Sequence, residues 1–70
     1  MKIQINVIGP ENIGLVQSHD SDWRTARRIM TTKGCNKLEM DQARDDLRSG
    51  FKVLIAPAGS INYIEFLPAA

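Results

Sequence analysis

Two glycines early in the chain have the spacing of a phosphate-binding loop. The segment INVIGPENIGLV runs from a predicted strand into Gly9, and Gly14 completes the pattern G-x-x-x-x-G. A P-loop needs Lys and then Ser or Thr directly after the second glycine, to reach phosphate and Mg²⁺. Leu15 and Val16 stand there, and Pro10 has no N–H to offer a phosphate. The segment therefore predicts two glycines around a turn, and we expect no cofactor.

The segment SHDSD carries side chains that can bind metals. His19, Asp20 and Asp22 match no defined ligand spacing, and a tight site needs further ligands from elsewhere. We interpret the acids as helix-capping residues and expect no metal. Cys35 and His19 form the one thiol–imidazole combination in the chain, and nothing in the sequence places them together. We expect no catalytic residues and no enzymatic activity.

The clearest polar pattern is a basic flank on one helix. A helix over residues 21–33 places Arg24, Arg27 and Arg28 on one side, with Thr31 beside them. Arginine forks bind carboxylates and phosphates. The predicted partner-binding residues are Arg24, Arg27, Arg28, Lys33 and Lys37. The alternative interpretation is an ordinary solvated helix face.

The order helix, glycine, short link, helix and hairpin is also that of a winged helix-turn-helix. The second helix argues against it, because three bases stand there against four acids, a net charge of −1. A recognition helix that faces phosphates should not be acidic. Tyr63 is a single candidate for base stacking where several aromatic residues would be expected. Nucleic-acid association through the arginine flank stays the alternative to protein binding.

These side chains must be positioned by short elements. Residues 1–8 alternate apolar and polar side chains and predict a half-buried strand. Residues 9–12, GPEN, predict a turn, and residues 13–17 predict a short returning strand or an irregular loop. We expect Asp20 or Ser21 to cap the first helix, and Gly34 to end it.

The second helix has a sharper start signal. Asn36 and Glu39 are spaced as a capping box, and Cys35 and Met40 occupy the two positions of a hydrophobic staple. Gly50 ends this helix. One apolar stripe on each helix is expected to pack on the first strand and the hairpin; the stripes consist of Trp23, Ala26 and Met30, and of Met40, Ala43 and Leu47.

The segment FKVLIAPAGSINYIEFL predicts a β-hairpin that turns at Pro57 and Gly59. That turn pairs Val53 with Tyr63 and places Leu54, Ile64 and Phe66 on the face away from the helices. Two short helices cover only one face, so these three residues indicate contact with a partner or a second copy, or a central position in the sheet. We take them as a candidate oligomer face, with a homodimer as one outcome.

The elements predict one α+β domain over residues 1–70. Its architecture is a two-layer sandwich of two helices on a mainly antiparallel three- or four-stranded sheet, in the order β-(β)-α-α-β-β. A 70-residue chain with 43% hydrophobic residues is globular, and its core is small. Its net charge of +1 predicts no global attraction to nucleic acid or membranes. With no long apolar segment, we expect a cytoplasmic protein without a membrane span.

The sequence favours a small non-enzymatic binding module, an inhibitor or adaptor. Phage-encoded inhibitors of host defence complexes have this size, although no residue establishes that origin. The expected partner is a protein with an acidic surface that contacts the arginine flank.

Overall fold

A computed structural model of the chain describes residues 1–10 and 14–69 and confirms the α+β class. The expected turn at residues 9–12 lies partly outside these residues. The elements are β1 (Lys2–Ile8), β2 (Leu15–Asp22), α1 (Trp23–Thr32), α2 (Lys37–Arg48), β3 (Val53–Ile55) and β4 (Tyr63–Ala69). No helix among the described residues is long and apolar enough to cross a membrane.

The four strands form one antiparallel sheet in the order β2-β1-β4-β3. The two inner strands, β1 and β4, pair over their whole length, from Lys2↔Ala69 to Ile8↔Tyr63. Helix α1 packs on β1 and β2, and α2 packs on β4 and β3. Both helices therefore cover the same face. The other face, which no helix of the described residues covers, is called the open face.

The core lies between the helices and the covered face, as the apolar stripes predict. It consists of Ile3, Ile5, Ala26, Met30, Met40, Ala43, Leu47, Ile64 and Phe66. Trp23, Ile29, Val53 and Ile55 pack around it and are partly buried. Each helix contributes residues at i, i+3 or i+4, and i+7, so one stripe of each is removed from water.

Strand β2 is longer than expected and moves the start of the first helix. The strand pairs with β1 up to Lys2↔Asp22, so Asp20 and Ser21 lie in the sheet instead of capping the helix. Asp22 is the N-cap, with an extended backbone at φ −132° and ψ 175°, and its carboxylate accepts a hydrogen bond from the Thr25 N–H. The predicted caps Asp20 and Ser21 were therefore wrong by one or two residues, because strand pairing continues to the helix boundary.

The start of α2 is as predicted. The Asn36 side chain accepts from the Glu39 N–H at 2.8 Å, and the Glu39 carboxylate accepts from the Asn36 N–H at 3.0 Å. Both halves of the capping box are therefore formed, which satisfies two N–H groups that the helix itself cannot. Gly34, between the helices, has φ +91°, a left-handed conformation that favours glycine.

The predicted register of the C-terminal hairpin was wrong by three residues. Val53 pairs with Phe66 and Ile55 pairs with Ile64, whereas the sequence predicted Val53 opposite Tyr63. The expected turn does form, with the Ser60 N–H donating to the Pro57 carbonyl at 3.1 Å and Gly59 at φ +76°. The strands stop before they reach that turn: β3 ends at Ile55 and β4 begins at Tyr63, so residues 56–62 form a loop that contains the turn.

An odd shift moves side chains to the opposite face of a strand. Ile64 is 8% exposed and Phe66 is 0% exposed, and both belong to the core. The prediction that they form an oligomer face with Leu54 was therefore wrong. Leu54 is 55% exposed and lies on the open face, opposite Glu65.

The open face carries a row of hydrogen-bonded polar side chains. The Gln4 amide donates to the Ser18 hydroxyl at 3.2 Å, and that hydroxyl donates to Asn6 Oδ1 at 2.6 Å. Asn6 then donates to Glu65 Oε1 at 3.0 Å, and Lys52 lies 3.9 Å from Glu65 Oε2. This row crosses β2, β1 and β4, and it satisfies the polar atoms of the buried Asn6.

Candidate functional site

A concave surface of about 540 Å³ lies beside helix α1. We call it the arginine groove. It is lined by Trp23, Arg24, Arg27, Arg28, Thr31, Thr32 and Arg44. Four guanidinium groups and a single indole thus surround one shallow depression. Arginine and tryptophan are the residue types most enriched among those that dominate binding energies at protein interfaces.

Helix α1 positions three of the arginines through its core stripe. Ala26 and Met30 are buried, which fixes the rotation of the helix on the sheet. Arg24, Arg27 and Arg28 then lie on the outer flank, as the helical spacing predicts. All three are exposed, and all three line the groove. The predicted clustering of these arginines is therefore confirmed, while their role in binding stays a prediction.

The start of α1 is fixed by the capping carboxylate. Hydrogen bonds from Thr25, first from its backbone N–H and then from its side chain, lower the pKa of Asp22, and the positive charge of Arg24 lowers it further. Asp22 therefore stays ionised to lower pH than an ordinary aspartate. The first turn, which carries Arg24, is held by this ionised cap.

Arg44 was missing from the predicted site. It belongs to α2, one residue after the buried Ala43, and it reaches the groove from the neighbouring helix. In the sequence it is one of the three basic residues of the second helix, whose net charge is negative. The sequence feature that could have indicated Arg44 is its position directly after Ala43 of the apolar stripe. Residues beside the stripe of one helix lie close to residues beside the stripe of the helix packed next to it.

Lys33 and Lys37 lie outside the groove. Lys33 is the C-cap of α1, and Lys37 is the first residue of α2. Both side chains are exposed, and neither lines the depression. The structure therefore brings Arg44 into the predicted basic site and leaves the two lysines outside it.

The threonine hydroxyls of the groove are used within α1. Thr31 Oγ1 donates to the Arg27 carbonyl at 2.9 Å and lies 3.3 Å from Met40 Sδ. Thr32 Oγ1 donates to the Arg28 carbonyl at 3.0 Å. A hydroxyl whose proton is already donated can still accept a hydrogen bond, but an anionic ligand needs donors. The arginines are therefore the groups available to an anion in this groove.

The arginines of the groove have no carboxylate partner among residues 1–10 and 14–69. The ion pair found in this part of the chain joins Lys52 and Glu65 on the open face of the sheet. Each arginine carries five donors on a planar fork suited to bidentate contact with a carboxylate or phosphate. The groove thus presents four such forks without an internal counterion in the described part of the chain.

The other candidate side chains do not come together. In β2, His19 lies opposite Ile5, while Asp20 and Asp22 alternate to the other face of the sheet. Within the described ranges, no three His, Cys, Asp or Glu residues are placed to hold a metal ion. Cys35 lines a groove beside β3, whereas β2 with His19 is at the opposite edge of the sheet.

Cys35 lies where the staple prediction places it, directly before the Asn36 cap. It is half-buried and packs against the core cluster that contains Met40. Its backbone N–H donates to the Met30 carbonyl at 3.0 Å, which joins the end of α1 to the start of α2. Burial, and then the charge of Glu39, raise the pKa of the thiol, so little thiolate is present at neutral pH.

We expect Cys35→Ala to lower the free energy of unfolding by about 1 kcal/mol, because a small apolar contact before the cap is lost. Binding through the arginine groove should be unchanged, because Cys35 does not line it. Urea denaturation and a binding titration of the same protein measure the two effects. A well-folded Cys35→Ser protein that had lost all binding would contradict the structural role.

No protein-family model matches this chain, and no curated protein or solved structure is significantly similar to it. The geometry and charge of the chain itself are therefore the guide to its function.

Proposed function

We propose that the chain is a small non-enzymatic binding protein, an inhibitor or adaptor, that engages an acidic surface of another protein through the arginine groove. The observation that supports this most directly is the convergence of four arginines from two helices on one depression, without an ion pair in the described residues. Arginines kept free of internal partners can make charge-assisted, bidentate bonds to carboxylates.

The groove has the anatomy of a compact binding site. Trp23 is half-buried against the core and also lines the groove, so its ring is held in place beside the guanidinium groups. A rigid aromatic side chain costs little entropy when a partner packs on it. The arginines around it then contact the carboxylates of the partner and exclude water from the ring.

The flanks of the groove favour a localised cluster of acids over a continuous polyanion. Asp22 stands at the start of α1, and Asp41 and Asp45 are exposed on α2 next to Arg44. Helix α1 has ten residues and is about 15 Å long. Duplex DNA carries one charge per roughly 1.7 Å of its axis, so its phosphates would extend over these carboxylates. The carboxylates of a partner protein can instead be placed so that they contact the arginines and stay away from these three aspartates.

The proposal is tested with a blocked hexaglutamate peptide as the probe and the fluorescence of Trp23, the single tryptophan in the chain, as the signal. We expect saturable binding, and the double variant Arg24→Glu, Arg28→Glu should weaken it by tenfold or more. The melting temperature should change little, because exposed charges contribute little to stability.

The matched control is Lys33→Glu with Lys37→Glu, which makes the same change in net charge outside the groove. If the lysine variant loses as much affinity as the arginine variant, the net charge of the protein binds the probe and the groove does not. If a thymidine hexanucleotide binds more tightly than hexaglutamate, with a steep loss of affinity at higher salt, the site is a nucleic-acid site instead. Affinity capture from the native host with the same variants then identifies the partner.

A further inference from the structure

A second groove, of about 510 Å³, lies on the other side of α2 along the outer edge of β3. We call it the β3 groove. Its floor is formed by the buried Met30 and Ala43, and the apolar residues Cys35, Leu38, Val53, Leu54 and Ile55 also line it. Leu38 is 78% exposed and Leu54 is 55% exposed. Two large aliphatic side chains are thus in contact with water at one place on the surface.

The groove follows the strand edge. Val53 and Ile55 point toward the helices and Leu54 points to the open face, yet all three line the groove. Residues from both faces of a strand can line the same groove only if the groove runs along the edge of that strand. Because β3 is the last strand in the order β2-β1-β4-β3, its outer main-chain N–H and C=O groups have no partner strand among the described residues. Such an edge can accept a further strand.

The rim of the β3 groove is acidic. Glu39 and Asp46 of α2 line it, and none of the residues that line it is Lys or Arg. Lys33 lines only the adjoining depression, which shares Cys35 and Glu39 with this groove. Both carboxylates are held in place. Glu39 Oε1 accepts the Asn36 N–H at 3.0 Å in the capping box, and Asp46 Oδ1 accepts from the Gln42 amide at 3.0 Å. The charge of this groove is opposite to that of the arginine groove.

A second copy of the chain has no strand edge that suits this one. Symmetric pairing of two β3 edges would bring the acidic rims of both copies together, and the arginine groove of a second copy lies on its helices and offers no strand. The other sheet edge, β2, has the sequence LVQSHDSD, which holds Asp20 and Asp22 and no Lys or Arg. Like charges that face each other across an interface oppose association. The charges of both sheet edges therefore favour a strand from a different protein, with basic side chains, over a strand from a second copy.

We propose that the β3 groove binds an extended polypeptide segment in which apolar residues alternate with lysine or arginine, added as a fifth strand beside β3. Side chains of an added strand alternate between the two faces of the sheet. On the helix side, basic side chains lay their aliphatic stems on the apolar floor and reach Glu39 and Asp46 with their charged heads. On the open side, apolar side chains cover Leu54.

The test uses a blocked eight-residue peptide of alternating valine and lysine, titrated into ¹⁵N-labelled protein and followed by NMR. We expect saturable shifts in the amides of residues 53–55 and of the α2 residues that line the groove. The backbone amides of β3 should also exchange more slowly with solvent in the complex. A peptide of alternating valine and glutamate should produce neither effect.

The variant Glu39→Gln, Asp46→Asn removes both rim charges, and glutamine keeps the capping-box acceptor. We expect it to weaken binding of the valine–lysine peptide by about three- to tenfold. The matched control is Asp41→Asn with Asp45→Asn, which makes the same charge change on exposed residues outside the groove and should leave the affinity unchanged.

Three results would overturn the proposal: absence of saturable binding, shifts that map away from β3, or equal losses in the rim variant and its control. The proposal concerns a surface separate from the arginine groove. The hexaglutamate titration and the valine–lysine titration can therefore fail independently of each other.

Discussion

Phe66→Ala should lower the free energy of unfolding by about 3–5 kcal/mol, the usual cost of truncating a fully buried phenylalanine. Phe66 is 0% exposed and is the largest of the fully buried side chains. It lies on β4 opposite both Ile5 of β1 and Val53 of β3, so its loss leaves a cavity where three strands meet. A domain of this size has a stability near the low end of about 5–15 kcal/mol, so a loss at the upper end of the expected range would leave much of the protein unfolded at 25 °C.

Urea denaturation followed by circular dichroism measures this effect, and Leu54→Ala is its control. Leu54 is also a large apolar residue of the hairpin, but it is 55% exposed, so its truncation should cost much less. A Phe66→Ala protein with unchanged stability and an altered mass by light scattering would contradict the buried position. It would support the oligomer face that the sequence pattern first suggested.

Leu47→Ala is expected to have the second largest effect, about 2–5 kcal/mol. Leu47 is 2% exposed and is the last core residue of α2. The loss combines the transfer free energy of the removed atoms with the cavity that remains. Helix propensity contributes little to the change, because leucine and alanine are both good helix formers.

Leu38→Ala serves as the control for Leu47→Ala. The same substitution in the same helix removes a side chain that is 78% exposed, so the melting temperature should stay nearly unchanged. If the two variants melted at the same temperature, the stripe of α2 would not be buried against the sheet.

The helices could be predicted from the sequence because their signals are local. The capping box of Asn36 and Glu39 depends on residues three positions apart, and the apolar stripes depend on spacings within two turns. Both appear in the structure. The first cap was missed because it depends on a non-local contact: the pairing of β2 with β1 continues to Asp22 and keeps Asp20 and Ser21 in the sheet.

The hairpin register could not be predicted from its turn residues alone. Pro57 and Gly59 do form a turn, but the faces of β4 are set by its pairing with β1. That pairing places Ile64 opposite Val7 and Phe66 opposite Ile5, with apolar side chains sharing one face. β4 pairs with β1 along its whole length but with β3 only over Val53–Ile55, so the pairing with β1 sets the faces of β4.

The candidate site was partly predictable for a similar reason. Arg24, Arg27 and Arg28 share one helix, so the helical period is enough to group them. Arg44 joins them through the packing of two helices, which the sequence does not specify directly. Lys33 and Lys37 were grouped with them because they are close in sequence, although neither lines the groove.

The hydrogen bond between Asn6 and Glu65 joins positions 59 residues apart. A slip of β4 along β1 by two residues would return the same apolar side chains to the core, so hydrophobic burial alone discriminates poorly among such alignments. A directional polar contact distinguishes them, because only one alignment places Glu65 beside Asn6 while Asn6 also accepts from Ser18. The solvent-facing side of the sheet thus selects one alignment among several that the core would tolerate.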